Sequence, residues 1–253
     1  MRKIYVLAMV LLMAAVLALP GVAQSAMWVG GELGANFIGS NDMKIGETGP
    51  GFSFSEKFKS AKFEPSVIGG LTLGYDFVNA GFGGYAYPDW MKYFGFAVDY
   101  TYNRAVLRNQ FLSVTSSENG RSFTGKDKFL TTGSQGNGYV SALTFLFYGH
   151  YGFLPDSEVP SGRLHPYIGV GPAIVWTGLD LGSQNLGSAT STNVALVAEA
   201  GLRFMALPNV SLDLAFRYRY YTPSWDFSAQ NVSATLDTTI NSYSVLTRVS
   251  YHF

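Results

Sequence analysis

The sequence predicts an all-β protein, an eight-stranded antiparallel up-and-down barrel that crosses a membrane and carries long outer loops. Three observations predict it. Segments in which apolar side chains alternate with small or polar ones recur along the chain, and clusters of Gly, Asn, Ser and Pro separate them. Only 13% of the 253 residues are charged, about half the usual share in a soluble domain, while 47% are hydrophobic. Beyond residue 26 no apolar run has the length of a transmembrane helix.

The amino terminus has the three-part pattern of a secretory signal. Two basic residues precede an apolar run that extends to Leu19, and small residues follow through Ala26. We predict a signal peptide over residues 1–23, with cleavage there or as late as residue 26, and export through the periplasm. The barrel domain is then predicted over residues 24–253. Without the two basic residues it is mildly acidic, and it contains no cysteine, which argues against nucleic acid, disulfides and thiolate metal sites.

Eight segments show the alternation, and helical periodicity is not evident in any of them. Their Val, Tyr, Phe and Thr content favours strands. They lie near residues 27–37, 66–77, 93–103, 139–150, 165–177, 193–205, 210–221 and 240–253. The connections should alternate between long outer ones and shorter periplasmic ones. The long connections lie near residues 38–65, 104–138, 178–192 and 222–239, and the shorter ones near residues 78–92, 151–164 and 206–209.

Most segments have one face of small or polar residues that carries few charges. In the first three segments these charges are Glu32, Asp76 and Asp99, and their neighbours on that face are mainly Gly, Ala, Thr and Asn. The fourth segment, residues 139–150, is apolar on both faces, so the sequence does not orient it. The fifth ends near Trp176, whose indole is a candidate for an interfacial aromatic girdle.

The last three segments separate their faces most clearly. In the seventh, the even-numbered residues from 210 to 220 are Val, Leu, Phe or Tyr, whereas the odd-numbered ones include Asp213 and two arginines. The sixth and eighth segments place Glu199 and Arg248 opposite apolar faces in the same way. Charged and apolar side chains therefore do not share a face in these segments.

The polar faces decide which side points inward. They are mostly Gly, Ala, Ser and Thr with a few charges of both signs, which is typical of a narrow barrel lumen and not of a secreted soluble barrel or sandwich, the alternative fold. Arg or Lys on the lipid face would cost about 2 to 4 kcal/mol near the bilayer midplane, so the charges should pair inside. The predicted lumen ion network comprises Glu32, Asp76, Asp99, Glu199, Arg203, Asp213, Arg217, Arg219 and Arg248.

Closure of the sheet follows from the membrane environment. An open sheet edge in hydrocarbon leaves backbone groups unpaired, so the last strand is predicted to pair with the first. Tyr251 and Phe253 then lie on the lipid face at the membrane interface, where aromatic rings are favoured. A girdle at the opposite end is predicted from Tyr218, Tyr220, Tyr221 and Trp225, with Trp176 as a further candidate.

Two outer loops contain further signals. In the second loop, apolar residues flank Asn119-Gly120, which predicts a hairpin that extends the barrel as a small ribbon; a ten-stranded barrel is the alternative. The first loop is the richest in Lys, which suits binding of a host surface, a polysaccharide or a lipopolysaccharide. A solvated lid without a ligand is the alternative. Interleaved with its lysines are Phe52, Phe54, Phe58 and Phe63.

Five stretches of the mature chain have a family resemblance. They are "VGGELGANF", "GGLTLGYDF", "HPYIGVGPAIVW", "LDLAFRYRYY" and the ending "VSYHF". Together they resemble the OmpA/OmpX-type outer-membrane β-barrel proteins of Gram-negative bacteria. The resemblance implies a small eight-stranded barrel in contact with outer-membrane lipid and lipopolysaccharide. The ending is similar to the signal that the barrel-assembly machinery reads, with Tyr251 and Phe253 as its aromatic residues and Arg248 where that signal often has Gly.

The sequence favours a non-enzymatic function. An eight-stranded lumen is filled by its own side chains, so a narrow channel for small solutes is the alternative and not the first expectation. A lipid-modifying enzyme is less favoured, because no His-x-Ser arrangement accompanies His150, His165 and His252. The loop acids lack calcium-binding spacing, and we expect no metal or cofactor. We therefore expect a non-enzymatic protein with a structural or adhesion-like role through its outer loops.

Overall fold

The structure is a computed structural model, and it describes residues 27–49, 52–77, 87–108, 110–118, 121–128, 136–181, 188–229 and 232–253. The predicted signal peptide and its cleavage site lie outside the described residues and stay a prediction. Within the described ranges, no helix is both long enough and apolar enough to cross a membrane. The strands are numbered β1 to β14 in chain order.

Eight strands form a closed antiparallel barrel. They are β1 (Met27–Ile38), β4 (Ser66–Asp76), β5 (Phe94–Leu107), β8 (Gly136–His150), β9 (Leu164–Asp180), β10 (Ser188–Leu207), β11 (Val210–Tyr221) and β14 (Ile240–His252). Their order around the barrel is β1-β14-β11-β10-β9-β8-β5-β4. Since β1 pairs with both β14 and β4, the predicted strand number and the closure of the last strand onto the first are confirmed.

The other six strands form a second sheet, which we call the outer sheet. They are β2 (Asn41–Gly49), β3 (Phe52–Ala61), β6 (Phe111–Glu118), β7 (Arg121–Lys128), β12 (Ser224–Ala229) and β13 (Val232–Thr238). Their order is β12-β13-β2-β3-β6-β7. Three outer loops thus each contribute one hairpin, and neighbouring hairpins pair with one another. The prediction from sequence assigned no secondary structure to two of these loops, and in this it was wrong.

The hairpin predicted in the second outer loop is confirmed by its flanking strands. Strands β6 and β7 pair from Phe111 opposite Lys128 to Glu118 opposite Arg121, while Asn119-Gly120 lies outside the described residues. The hairpin joins the outer sheet through β3 and does not enter the barrel. The ten-stranded alternative is wrong because β5 and β8 already pair with each other below the hairpin and close the wall there.

The largest apolar core lies between the outer sheet and the inner face of the barrel wall. Met43 and Leu236 from the outer sheet are fully buried in it, as are Leu107, Val175 and Val197 from the barrel. The outer sheet therefore packs its apolar face over the upper lumen, and burial of these side chains, at about 1.5 to 3 kcal/mol each, holds it there.

This core explains why the sequence could not orient β8. Val140 and Ala142 point inward and belong to the core below the outer sheet, and Leu146 is buried further down the lumen. Phe147 is 49% exposed on the outward face. Both faces of β8 are apolar because one meets lipid and the other meets protein, so the strand has no polar side to mark the lumen.

Two residues predicted for the outer aromatic girdle are buried instead. Tyr221 and Trp225 are members of the core below the outer sheet, whereas Tyr220 is 42% exposed and fits the girdle. Both differences have a simple cause. Tyr221 has an odd number and so lies on the inward face of β11, and Trp225 belongs to β12 of the outer sheet.

Phenylalanines of the first outer loop also differ from the expectation. Phe58 and Phe63 are buried in the same core, so they hold the outer sheet in place and do not form a ligand-binding surface. Lys57 lies next to Phe58 on the opposite face of β3, where it remains open to solvent. The charged and polar side chains of this loop therefore form its outer face.

The outward face of the barrel is apolar and exposed. Leu212, Leu214, Phe216, Val245 and Val249, on the adjacent strands β11 and β14, are between 45% and 56% exposed. Similar side chains continue around the other barrel strands, among them Leu33, Leu71, Ile168, Val170, Val194, Leu196 and Leu202. Such a continuous apolar band on a closed barrel is the lipid-facing surface of a transmembrane β-barrel.

The opposite end of the barrel, where Trp28 pairs with His252, is the predicted periplasmic end, and we use that name for it. A short 3-10 helix, Asp89–Tyr93, precedes β5 there. In the connection between β8 and β9, the Arg163 guanidinium forms an ion pair with Asp156. The hydrogen bond from Arg163 lowers the pKa of Asp156, so this pair persists at neutral pH.

Candidate functional site

Complementary charges face each other across neighbouring strands inside the barrel. Glu32 on β1 is directly opposite Arg248 on β14. Asp213 on β11 is opposite Arg248 on one side and Arg203 of β10 on the other. Because side chains at opposed positions of an antiparallel pair point to the same face, the strand register itself assembles the ion pairs.

Arg217 is the centre of the upper part of this network. Its Nε atom donates to Glu199 Oε2 at 2.6 Å, and its Nη1 atom lies 3.4 Å from Glu32 Oε1. Its Nη2 atom also contacts Asp99. Arg217 is 1% exposed and its three carboxylate partners are buried as well. One guanidinium thus contacts three buried carboxylates.

Arg248 and Arg203 continue the network toward the periplasmic end. Arg248 Nη2 donates to Glu32 at 2.7 Å and to Glu199 at 3.3 Å, and its Nη1 lies 3.4 Å from Asp213 Oδ2. Arg203 bridges Asp213 at 3.3 Å and Asp76 at 3.4 Å. The structure therefore brings eight of the nine sequence-predicted lumen residues into ion pairs.

Arg219 is the ninth, and it is placed differently. It is 3% exposed, and its Nη2 atom donates to the Thr101 hydroxyl at 3.1 Å. In the described part of the chain its guanidinium makes no ion pair with a carboxylate, and its Nε atom has no hydrogen-bond partner. Its contribution to stability should consequently differ in sign from that of Arg217.

Aromatic rings fill the rest of the lower lumen, and sequence reasoning missed them. The Arg203 guanidinium lies 4.5 Å from the ring centroid of Trp28, and the Trp28 indole N–H donates to Tyr148 Oη at 3.2 Å. The Trp28 ring occupies the space where a Cβ at Gly74 would be. The signal was present in the sequence, since Trp28 has the same parity as Glu32 on β1.

Little space remains between these groups. A cavity of about 10 Å³ lies beside the network, enough for about one water molecule. It is lined by Trp28, Ala97, Leu146, Tyr148, Tyr167, Glu199, Arg203 and Arg248. Above the network, the apolar core below the outer sheet continues to the barrel mouth. A buried ionic layer and a buried apolar layer thus follow one another along the described lumen.

The three histidines gather at the periplasmic end, as predicted. The rings of His150 and His165 are 5.6 Å apart, and His252 Nε2 lies 3.0 Å from Ser211 Oγ. The Ser211 hydroxyl donates to Asp213, so the carboxylate contacts the serine and does not orient the histidine as in a catalytic triad. Ser211 is also 0% exposed, so a substrate cannot contact its hydroxyl.

Metal ligands are not clustered in the part of the chain that the structure describes. No group of three or more His, Cys, Asp or Glu side chains there has a geometry that would hold an ion. The carboxylates of the lumen are instead matched with arginines.

A second candidate site is a polar cleft of about 600 Å³ on the outer face, where the outer sheet meets the barrel rim. We call it the outer cleft. It is lined by Ser40, Asn41, Asp42, Lys44, Lys57, Thr222, Pro223, Asp237, Thr238, Thr239 and Asn241. These residues come from four stretches that are far apart in the sequence, which is why the sequence did not reveal the cleft.

Comparison with known proteins bears on the fold. The chain is similar to the outer membrane protein OprG from Pseudomonas aeruginosa, with 14% identity, a TM-score of 0.50 and coverage of 92% of this chain and 98% of that one. It is also similar to Neisserial surface protein A, with 14% identity, a TM-score of 0.44 and coverage of 90% and 97%. No protein-family model and no curated protein matches the chain.

The closed barrel, its apolar exterior and the likeness to OprG define the class of protein. The chain has the fold of small eight-stranded outer-membrane β-barrels, as the OmpA/OmpX-type resemblance predicted. At 14% identity the likeness shows the fold alone. Three loops of the chain form a six-stranded outer sheet above this barrel. Since a fold does not specify a function, the residues of this outer sheet are the ones on which a specific function depends.

Proposed function

We propose that this chain is a non-enzymatic integral outer-membrane protein that has a structural role and binds a ligand at the cell surface through its outer sheet. Outer-membrane lipid and lipopolysaccharide surround the barrel in this proposal, and the barrel-assembly machinery inserts it through the ending that contains Tyr251 and Phe253. Both rings are exposed on the lipid face, at 46% and 41%, which supports that role.

One observation carries the proposal. Three outer loops are joined into a single sheet. Over its central strands the inner face is buried and the outer face is polar, while Phe111 and Phe123 are exposed at the β6–β7 edge. Ordering loops costs about 1 to 2 kcal/mol of backbone entropy per residue, so loops that only need to connect strands gain nothing from it. A rigid, polar surface held above the membrane is suited to recognition, since binding residues are commonly placed on loops that a scaffold positions.

The lumen supports a structural role for the barrel interior. A conducting path would have to cross both the ion network around Arg217 and the apolar core around Leu236, and each is buried. An enzyme would need an accessible nucleophile, and the Ser211–His252 pair lies inside the wall. The outer surface is therefore the favoured place for function.

Deletion of residues 45–60 tests the proposal. The deletion removes most of β2 and β3, the central strands of the outer sheet, but no residue of a barrel strand. We expect the barrel to keep its heat-modifiable migration on gels, because its pairing does not involve these residues. Adhesion, phage sensitivity or serum resistance of cells expressing the variant should change. Conductance in planar bilayers should stay at baseline for both proteins, since the ion network is untouched.

A matched control is deletion of β7, residues 121–128, which lies at the edge of the outer sheet. It should leave the central strands paired and should have the smaller effect on surface binding. If the deletion of residues 45–60 changes none of the three surface properties, the proposed interaction role is wrong. Regular current steps from the full-length barrel would instead support the channel alternative.

A further inference from the structure

The outer cleft begins where the lipid-facing surface ends. Asn241 lines it and, like Tyr243, has the outward parity of β14. The Tyr218 hydroxyl donates to Asn241 Oδ1 at 2.6 Å, and the rings of Tyr218 and Tyr243 are 5.4 Å apart on the outer surface. A ligand in the cleft would therefore have an aromatic, membrane-interface surface directly next to it.

Two lysines and two aspartates line the outer cleft, and one lysine and one aspartate among them form an ion pair. Lys57 Nζ lies 3.0 Å from Asp42 Oδ2, and the Ser60 backbone N–H donates to Asp42 Oδ1 at 3.1 Å. The hydrogen bond from Lys57, aided by that from Ser60, lowers the pKa of Asp42, so this wall stays charged at neutral pH. Lys44 and Asp237 are opposed across β2 and β13 but form no ion pair within the described residues.

Most of the remaining lining groups are hydroxyls or amides. Ser40, Thr222 and Thr239 contribute hydroxyls and Asn241 an amide. Asn41 and Thr238 also line the cleft, but both are buried and donate to backbone carbonyls, and Pro223 is the one apolar residue of the lining. Such a set offers both donors and acceptors with no net charge among its four ionised side chains. Sugar hydroxyls, which donate and accept at once, suit this lining, and the two lysines can also contact a phosphate, whereas an apolar ligand does not fit it. The volume, about 600 Å³, is that of a typical small-molecule site.

We propose that the outer cleft binds the saccharide headgroup of a glycolipid in the outer leaflet, an inference that rests on the proposed function of the outer sheet as a binding surface. The headgroup occupies the cleft, and the lipid chains lie against the barrel below Tyr218 and Tyr243. The Lys44 ammonium donates to a hydroxyl or a phosphate of the headgroup. The Asp237 carboxylate accepts from sugar hydroxyls, and the Asp42–Lys57 pair forms a preorganised wall.

The test uses the mature barrel in phosphatidylcholine nanodiscs, titrated with rough lipopolysaccharide consisting of lipid A and inner-core sugars. Backbone amide NMR shifts report binding at each residue. We expect saturable shifts at Lys44, Asp237 and Thr239. The double variant Lys44→Gln, Asp237→Asn should bind at least about tenfold more weakly, as expected for the loss of a charged hydrogen bond. The control, Lys126→Gln on β7, should bind as the wild type does.

Equal dissociation constants for the double variant and the wild type would overturn the proposal, as would shifts confined to other parts of the barrel. The core oligosaccharide without its lipid forms the second arm. If it binds as tightly as the whole lipopolysaccharide, the ligand is a free saccharide and the glycolipid assignment is wrong. Should the double variant keep its affinity while deletion of residues 45–60 abolishes surface binding, this inference fails and the proposed function stands.

Discussion

Replacing Arg217 with Met is expected to lower the free energy of unfolding by about 3 to 5 kcal/mol. The guanidinium is the shared partner of Glu32, Asp99 and Glu199, all inside the barrel. Met fills a similar volume but leaves Asp99 without its ion pair, and Glu32 and Glu199 then share Arg248 alone. Burial of an uncompensated charge is strongly destabilising. Urea titration of the barrel refolded in phosphatidylcholine vesicles, followed by tryptophan emission, measures the change.

Arg219→Met is the matched control, since it makes the same substitution two residues along the same face of β11. Arg219 has no carboxylate partner in the described lumen, so its removal takes away a desolvation penalty and not an ion pair. We expect its free energy of unfolding to be equal to or higher than that of the wild type. The proposed network would be refuted by equal losses in the two variants, or by an Arg217→Met protein as stable as the wild type.

Leu214→Arg is expected to cost about 2 to 4 kcal/mol of stability in vesicles and to reduce insertion into the membrane. Leu214 is 56% exposed near the middle of β11, so it makes few contacts with protein that a mutation can disturb. In water an arginine at such a position would be nearly neutral. The expected loss therefore comes from the hydrocarbon around it. Urea titration in vesicles measures the stability, and the fraction of chain recovered in the membrane measures insertion.

The control for this experiment is Ser122→Arg, at an exposed position of β7 in the outer sheet. This residue lies beyond the barrel wall, in water, and the substitution should change stability by less than about 0.5 kcal/mol. A Leu214→Arg barrel that inserts and unfolds like the Ser122→Arg barrel would show that the apolar band does not face lipid.

The barrel was predictable because each barrel strand separates two environments. Residues of β11 alternate between lipid and lumen, so parity alone assigns Leu214 outward and Arg217 inward. The opposition of Glu32 and Arg248 depends on closure of β14 onto β1, which the need to pair backbone groups in hydrocarbon requires. The alternation of apolar and polar residues along a strand shows which side chains face lipid and which face the lumen. In the barrel strands these two environments differ clearly.

Apart from the β6–β7 hairpin, the outer sheet was not predictable, because its hairpins join one another through pairs that are far apart in sequence. Strand β2 pairs with β13, and both strands are short and mixed in character. Their inner faces meet protein, so Met43 and Leu236 gave no solvent-based signal. The outer cleft has the same difficulty, since Lys44 and Thr222 become neighbours only once both sheets are formed. Aromatic residues such as Trp28 were missed because rings were expected outside and not in the lumen.

The lipid-facing exterior is tested most directly by spin-label accessibility along β11. The chain has no cysteine, so single substitutions place one label at each outward position without further changes. The positions are Val210, Leu212, Leu214, Phe216, Tyr218 and Tyr220. In vesicles, accessibility to oxygen should be highest, and accessibility to an aqueous nickel complex lowest, at Leu214 and Phe216, with the nickel complex reaching labels at both ends. High nickel accessibility at all six positions would place this face in water and contradict the account.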